Sequence, residues 1–295
     1  MNVTKLILTS LVATAAWAQS SPTANTSTVS AADVKAQNKW SASFVSQLTR
    51  PADVATAESE YDTLNILGLK YRLSENRSLT TQIRFGVYQE LNKQTQVEDY
   101  TTRLVYGIDK VSIAGSDPTS ILLRATLPTN TVAREQKGHL TVLSVASDIN
   151  WSITPVIALG YSGVHGASFY YKQNLTNGKP ADQQDFAYTS NSAVATVTLS
   201  DVVSFYQKIG HDYTVMDRSK GIDSMKTVAS ILNVETGVSF DLTKKLNISM
   251  DITQAAPIID GSIDVISGKA LSYSDTYALY RANQTSYQFA VSYAF

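Results

Sequence analysis

From Trp40 to the final Phe295, large apolar side chains return at every second position, in segment after segment, with small or polar residues between them. A strand turns successive side chains to opposite faces, so each segment builds a strip with one apolar face. Twelve segments alternate in this way, at about 39–49, 64–73, 78–89, 99–109, 119–128, 139–147, 155–171, 191–199, 202–210, 227–240, 246–253 and 285–295. On one face they carry, for example, Leu67, Leu69 and Tyr71, then Leu79, Ile83 and Phe85, and later Leu140, Val142 and Ala146. Beyond the first residues no run approaches the roughly 20 consecutive apolar residues of a membrane helix. A chain that must cover this much apolar strand has two outlets. It packs two sheets face to face, or it closes one sheet in lipid, where only helices and closed barrels satisfy every backbone group.

The links between segments separate these outlets. Those after segments two, eight and ten are tight, "SENRS" (74–78), "SD" (200–201) and "DLTKKL" (241–246), and those after four and six are moderate. Those after the odd segments are longer and polar, at 50–63, 90–98, 129–138, 172–190, 211–226 and 254–284. A β-sandwich has no reason to sort its links by parity. A transmembrane barrel does, with short periplasmic turns and long extracellular loops. The expected fold is therefore all-β, an antiparallel transmembrane β-barrel of about twelve strands with both termini on the short-turn side.

The start of the chain reads as an export signal. "MNVTKLILTSLVATAAWAQS" places Lys5 before an apolar run and ends it on Ala16-Trp17-Ala18, a small-x-small cleavage pattern. The expected organisation is a signal peptide over 1–18, a Ser/Thr/Ala-rich flexible lead-in over 19–38, and a barrel over 39–295. The formal net charge of -1 offers no basic stripe for nucleic acid, and the absence of cysteine excludes disulfides and thiolate zinc sites.

The signal peptide together with Tyr287, Phe289, Val291, Tyr293 and the terminal Phe295 resembles a bacterial outer-membrane barrel of the porin type. Barrels of that class end on such a strand, which the outer-membrane assembly machinery reads. The resemblance implies Sec export, residence in the outer membrane of a Gram-negative bacterium, contact with its lipid, and passage of small polar solutes. Twelve-stranded barrels also include a phospholipase, so strand number alone leaves function open.

If the apolar register faces lipid, the other faces the lumen. Strands two to five then turn Lys70, Arg72, Arg84, Arg103 and Arg124 inward, with no charge on their outward register. A cation facing lipid at mid-membrane costs about 2–4 kcal/mol in a barrel, which accounts for the separation. Counting from the short-turn ends puts Arg84, Arg103 and Arg124 near mid-depth, with Glu235 and Asp251 at similar depth on strands ten and eleven. The pattern predicts an arginine ladder facing a small acidic patch, the transverse field of a channel for small hydrophilic solutes, with anions favoured. Two alternatives stay open: a structural or adhesive barrel whose lumen is plugged by a loop or by paired charges, and a hydrolase acting from the outer rim. Gly68, Gly86, Gly107, Gly160 and Gly237 share the inward register, where they relieve crowding. No catalytic constellation, cofactor motif or metal-binding spacing stands out. His139, His165 and His211 are followed two residues later by Thr141, Ala167 and Tyr213, not by serine, and Asp212 beside His211 is the one hint of acid–base chemistry.

Deleting Phe295 is expected to lower the yield of inserted barrel, read as the heat-modifiable gel band of outer-membrane fractions. Molecules that do insert should keep their conductance. Normal insertion with altered conductance would refute the assembly role of this residue.

Overall fold

The computed structural model describes residues 39–53, 59–90, 96–129, 139–170, 184–217, 226–259 and 284–295. The expected signal peptide and lead-in lie outside these residues, as do most of the longer links. Twelve strands follow one another in chain order: β1 (Trp40–Pro51), β2 (Ser59–Ser74), β3 (Arg77–Glu90), β4 (Gln96–Val111), β5 (Thr119–Leu127), β6 (His139–Ser152), β7 (Ile157–Tyr170), β8 (Gln184–Thr198), β9 (Val203–Asp217), β10 (Lys226–Thr243), β11 (Leu246–Ile259) and β12 (Thr285–Ala294). Each pairs antiparallel with its neighbours in sequence, and β12 returns to β1, so the sheet is a closed barrel without edges. The seam runs from Ser43 opposite Ala294 to Pro51 opposite Ser286. Even the last residue takes part, for the Phe295 N–H donates to the Ala42 carbonyl at 2.8 Å.

The turns at one end of the barrel share a device. In "DLTKKL" the Thr243 hydroxyl accepts the N–H groups of Lys245 and Leu246 at 3.1 and 3.0 Å. Ser200 does the same for Val202 and Val203, and Thr154 for Val156 and Ile157. A side-chain oxygen standing in for a backbone acceptor ties the chain into a reversal and fixes the register of the two strands it joins. The β4–β5 link is longer and takes three residues to positive φ, Lys110 (61°), Ala114 (50°) and Gly115 (75°). It is held by the Ser116 hydroxyl accepting the Ile113 N–H and by the Trp151 indole donating to the Ala114 carbonyl.

The wall is apolar outside and polar within. Leu67, Leu69, Ile83, Met250 and Tyr287 are 44, 48, 49, 50 and 51 % exposed. The buried set is rich in Ser, Thr and charged groups, among them Ser78, Ser144, Ser249, Arg84 and Asp251. Among the described residues no large side chain is fully buried, so there is no hydrophobic core of the kind that holds a soluble sandwich together.

Two sequence expectations are corrected. In β6 the outward face was expected to carry Leu140, Val142 and Ala146. Instead Val142 and Ala146 are buried inside, 3 and 2 % exposed, while Leu143 and Val145 turn outward at 47 and 42 %. Both registers of this strand hold apolar residues, and the winning one keeps Asp148 and Asn150 off the outer wall. Several strands also run further than the alternation does. β8 starts at Gln184, β9 continues to Asp217 and β11 to Ile259, inside stretches read as links. The far halves of β8 and β9 carry polar residues on both faces, such as His211 and Asp212, so the period fades while the backbone ladder continues.

The register makes a sharp prediction for adjacent positions of β3. Ile83→Arg, on the outer wall, should destabilise the barrel by about 2–4 kcal/mol in denaturant titrations in lipid vesicles. Gln82→Arg, one residue away and facing in, should cost far less. Equal costs would contradict the assignment of the two faces.

Candidate lumen site

The inward register brings the sequence-predicted basic residues onto neighbouring strands. Arg84 on β3 lies opposite Thr101, Arg103 on β4 lies between Gln82 and Thr126, and Arg124 on β5 lies between Val105 and Ser144. Arg84 and Arg103 are 3 and 7 % exposed. The Arg103 Nε donates to the Thr126 hydroxyl at 3.2 Å. Arg103 stands within electrostatic reach of both Arg84 and Arg124, so the three form one positive cluster. Lys70 sits apart, nearer the short turns, where its Nζ is 3.6 Å from an Asp109 carboxylate oxygen. That carboxylate also accepts the hydroxyls of Ser120 and Ser78, at 2.6 and 3.2 Å. Arg72, opposite Ser78, lies closer still to the turn. The expected five-residue ladder thus resolves into a mid-depth cluster of three and a lower pair.

The acidic residues occupy β10 and β11, but they are not a bare patch. Glu235 pairs with Lys208 of β9 at 3.3 Å, both largely buried. Asp251 accepts the Tyr206 phenol at 3.2 Å and the Thr253 hydroxyl at 3.3 Å. Lys208 and Tyr206 were missed because β9 reads in sequence as an outward apolar strip whose interleaved residues attract no notice. A neutralised Glu235 reduces the negative wall mainly to Asp251.

Glycines shape two rungs of the interior. Tyr206, Gly237 and Asp251 are direct cross-strand neighbours. A Cβ on Gly237 would stand 2.5 Å from the Tyr206 ring, so the missing side chain is what lets the ring lie flat along the wall and reach Asp251. The same device recurs where Arg124, Ser144, Gly166 and Tyr188 follow one another across four strands. A Cβ on Gly166 would again come within 2.5 Å of the Tyr188 ring. Tyr188 stands within electrostatic reach of Arg103 and Arg124. The sequence reading had placed Tyr188 in a loop. Its signal, an aromatic residue paired with glycine on the next strand, is visible only once the register is known.

The hint of acid–base chemistry does not assemble. Asp212 and His211 are adjacent in β9 and so face opposite sides of the wall. Asp212 accepts the Asn233 amide inside at 2.5 Å, while His211 faces out and bonds the Ser230 hydroxyl at 2.6 Å. Ser230 is 3 % exposed, which closes its oxygen to a substrate. His165 is engaged with Thr189 in an outward network that continues to Asn191 and Tyr161. The side chain of His139 lies outside the described residues. No metal-holding cluster is found among the described residues.

No family model matches this sequence, and no curated protein matches it. Solved structures do. The COG4313 outer membrane channel from Pseudomonas putida F1 superposes with a TM-score of 0.59 over 91 % of this chain and 100 % of that one, at 10 % identity. The NanC porin gives a TM-score of 0.48 over 85 and 98 % of the two chains at 8 % identity, and the KdgM porin 0.43 over 86 and 99 % at 9 % identity. At 10 % identity the likeness to the first of these establishes the fold alone, a closed antiparallel β-barrel.

Gly237→Val should force the Tyr206 ring off the wall, break its bond to Asp251 and lower single-channel conductance. The double variant Gly237→Val with Tyr206→Ala should restore it. An unchanged conductance in the single variant would show that the ring does not border the conducting path.

Proposed function

We propose that the protein is an outer-membrane channel for passive diffusion of small hydrophilic solutes, favouring anions, through an arginine-lined lumen. The observation that carries this reading is the placement of Arg84, Arg103 and Arg124 on the inward register of three adjacent strands, facing a wall where Lys208 already neutralises Glu235. Fixed charges over water select ions by sign, and a guanidinium row suits carboxylate and phosphate because it binds them in bidentate fashion. The Debye length of about 8 Å at physiological salt confines the field to solutes passing close to the cluster. The apolar outer wall supports residence in lipid, and the signal-like N-terminus and terminal aromatic strand support Sec export and delivery by the outer-membrane assembly machinery.

One observation favours a second reading, a structural or adhesive barrel with an occluded lumen: Arg84 and Arg103 are almost wholly covered, so little of either is open to a passing solute. Planar-bilayer recording separates the two. The channel reading expects discrete conductance steps and an anion-selective reversal potential in a salt gradient. Replacing Arg84, Arg103 and Arg124 together by Ala should bring the anion-to-cation permeability ratio to about one or below. Absence of conductance would sink the channel reading. Selectivity unchanged by the triple replacement would sink the proposed role of the arginines.

A further inference from the structure

The outer wall is not uniformly convex. A groove of about 520 Å³ crosses it from β1 through β12 and β11 to β10. Its walls are two successive rungs of outward side chains. The upper rung runs Arg50, Tyr287, Ile252, Thr236, each the direct cross-strand partner of the next. The lower rung, two residues down each strand, starts Leu48, Phe289, Met250. Arg50 is the one cation among the residues lining the groove, and it is exposed; Asp251 also lines it, with its carboxylate turned inward to the Tyr206 phenol.

The groove has a direction. Arg50 stands ten residues along β1 from Trp40, while Ile252 stands six along β11 from Leu246. At ~3.4 Å per residue and ~45° tilt these correspond to heights of about 24 and 14 Å above the short-turn rim. A barrel's apolar band is about 25 Å tall, so Arg50 reaches the outer head-group level. The groove then descends from it through apolar side chains into the band, over three strand spacings of ~4.8 Å. Elsewhere a guanidinium on the lipid face is costly. At this height it meets phosphate and is favourable.

We propose that this groove binds an anionic lipid of the outer leaflet, with a phosphate on Arg50 and one acyl chain lying obliquely between the two rungs. The occupant is chosen by charge and by direction: the cation sits at the outer end, where a head group must be, and the apolar run leads inward from it. The site is independent of whether the lumen conducts. It rests on the reading of the outer wall as lipid-facing, and the test separates the two.

The test uses tryptophan quenching in bilayers. In a background with Trp17, Trp40 and Trp151 replaced by Phe, Leu48→Trp reports from the groove, and Leu159→Trp, an outward residue of β7 on the far side of the ring, reports from plain wall. Each full-length variant is reconstituted in phosphatidylcholine with increasing fractions of brominated-chain phosphatidylglycerol, or of brominated phosphatidylcholine. At Leu48→Trp the anionic lipid should be preferred about fivefold, the factor one basic residue contributes at a charged surface. Adding Arg50→Gln should bring the preference to about one, and Arg50→Lys should retain part of it. At Leu159→Trp both lipids should quench alike with or without Arg50. A preference near one at Leu48→Trp, or one that survives Arg50→Gln, overturns the proposal. Absence of quenching at Leu48→Trp alone, with a doubled particle mass, also overturns it, because the face is then buried between copies. Absence of quenching at both positions overturns the lipid-facing reading itself.

Discussion

Every backbone N–H and C=O in this wall has to find its partner within the wall, because hydrocarbon offers none. That requirement makes the ring closed, and the ladder continues on both sides of its register shifts, such as the one between Arg84 and Phe85. Closure leaves the side chains as two independent sets. The outer set need only be apolar, and it is populated by Leu, Ile, Val and aromatic residues at 36 to 67 % exposure. The inner set is polar, and much of it is paired through short cross-strand links such as Lys208 with Glu235 and Tyr206 with Asp251. Stability therefore resides in the backbone and its surroundings, and the interior is free to be shaped for another purpose.

That freedom is used asymmetrically. Positive charge gathers on β3 to β5 around Arg103, whereas the opposing strands carry an ion pair and a carboxylate held by a tyrosine. Breaking the Lys208–Glu235 pair from one side would leave a largely buried charge without its partner, which is costlier than never having had the pair. The pair also keeps the acidic wall from cancelling the field of the arginines. The two tyrosines laid across glycines act on shape where the charges act on potential: each ring stays against the wall because its neighbour has no side chain.

Most of the fold was legible in the sequence, since a period of two is the direct imprint of a wall with two faces. Strand number and pairing with chain neighbours both follow from it. The period failed where its physical cause was absent. In β6, apolar residues such as Val142 and Leu143 stand side by side, and the register is decided by where Asp148 must go. In the far halves of β8 and β9 the wall carries polar residues on both faces, so alternation ends before the strand does. Lys208, Tyr206 and Tyr188 escaped notice because their roles depend on partners one strand away, and cross-strand register is not written in any local stretch.

The seam between β1 and β12 has a consequence for how the ring comes into being. Every other pairing joins strands consecutive in the chain, so those hairpins form with short loop closures. The seam joins residues at opposite ends of the polypeptide: the Gln47 amide donates to Gln288 across a separation of 241 residues, and the Phe295 N–H reaches Ala42. Its closure entropy is the largest in the molecule, and topology makes such contacts late. Until it forms, β1 and β12 are both open edges, and β12 is the more hazardous because its outward register carries Tyr287, Phe289, Val291 and Tyr293. The seam shields that strand only once the first strand arrives, so the ring passes from two open edges to none in one step.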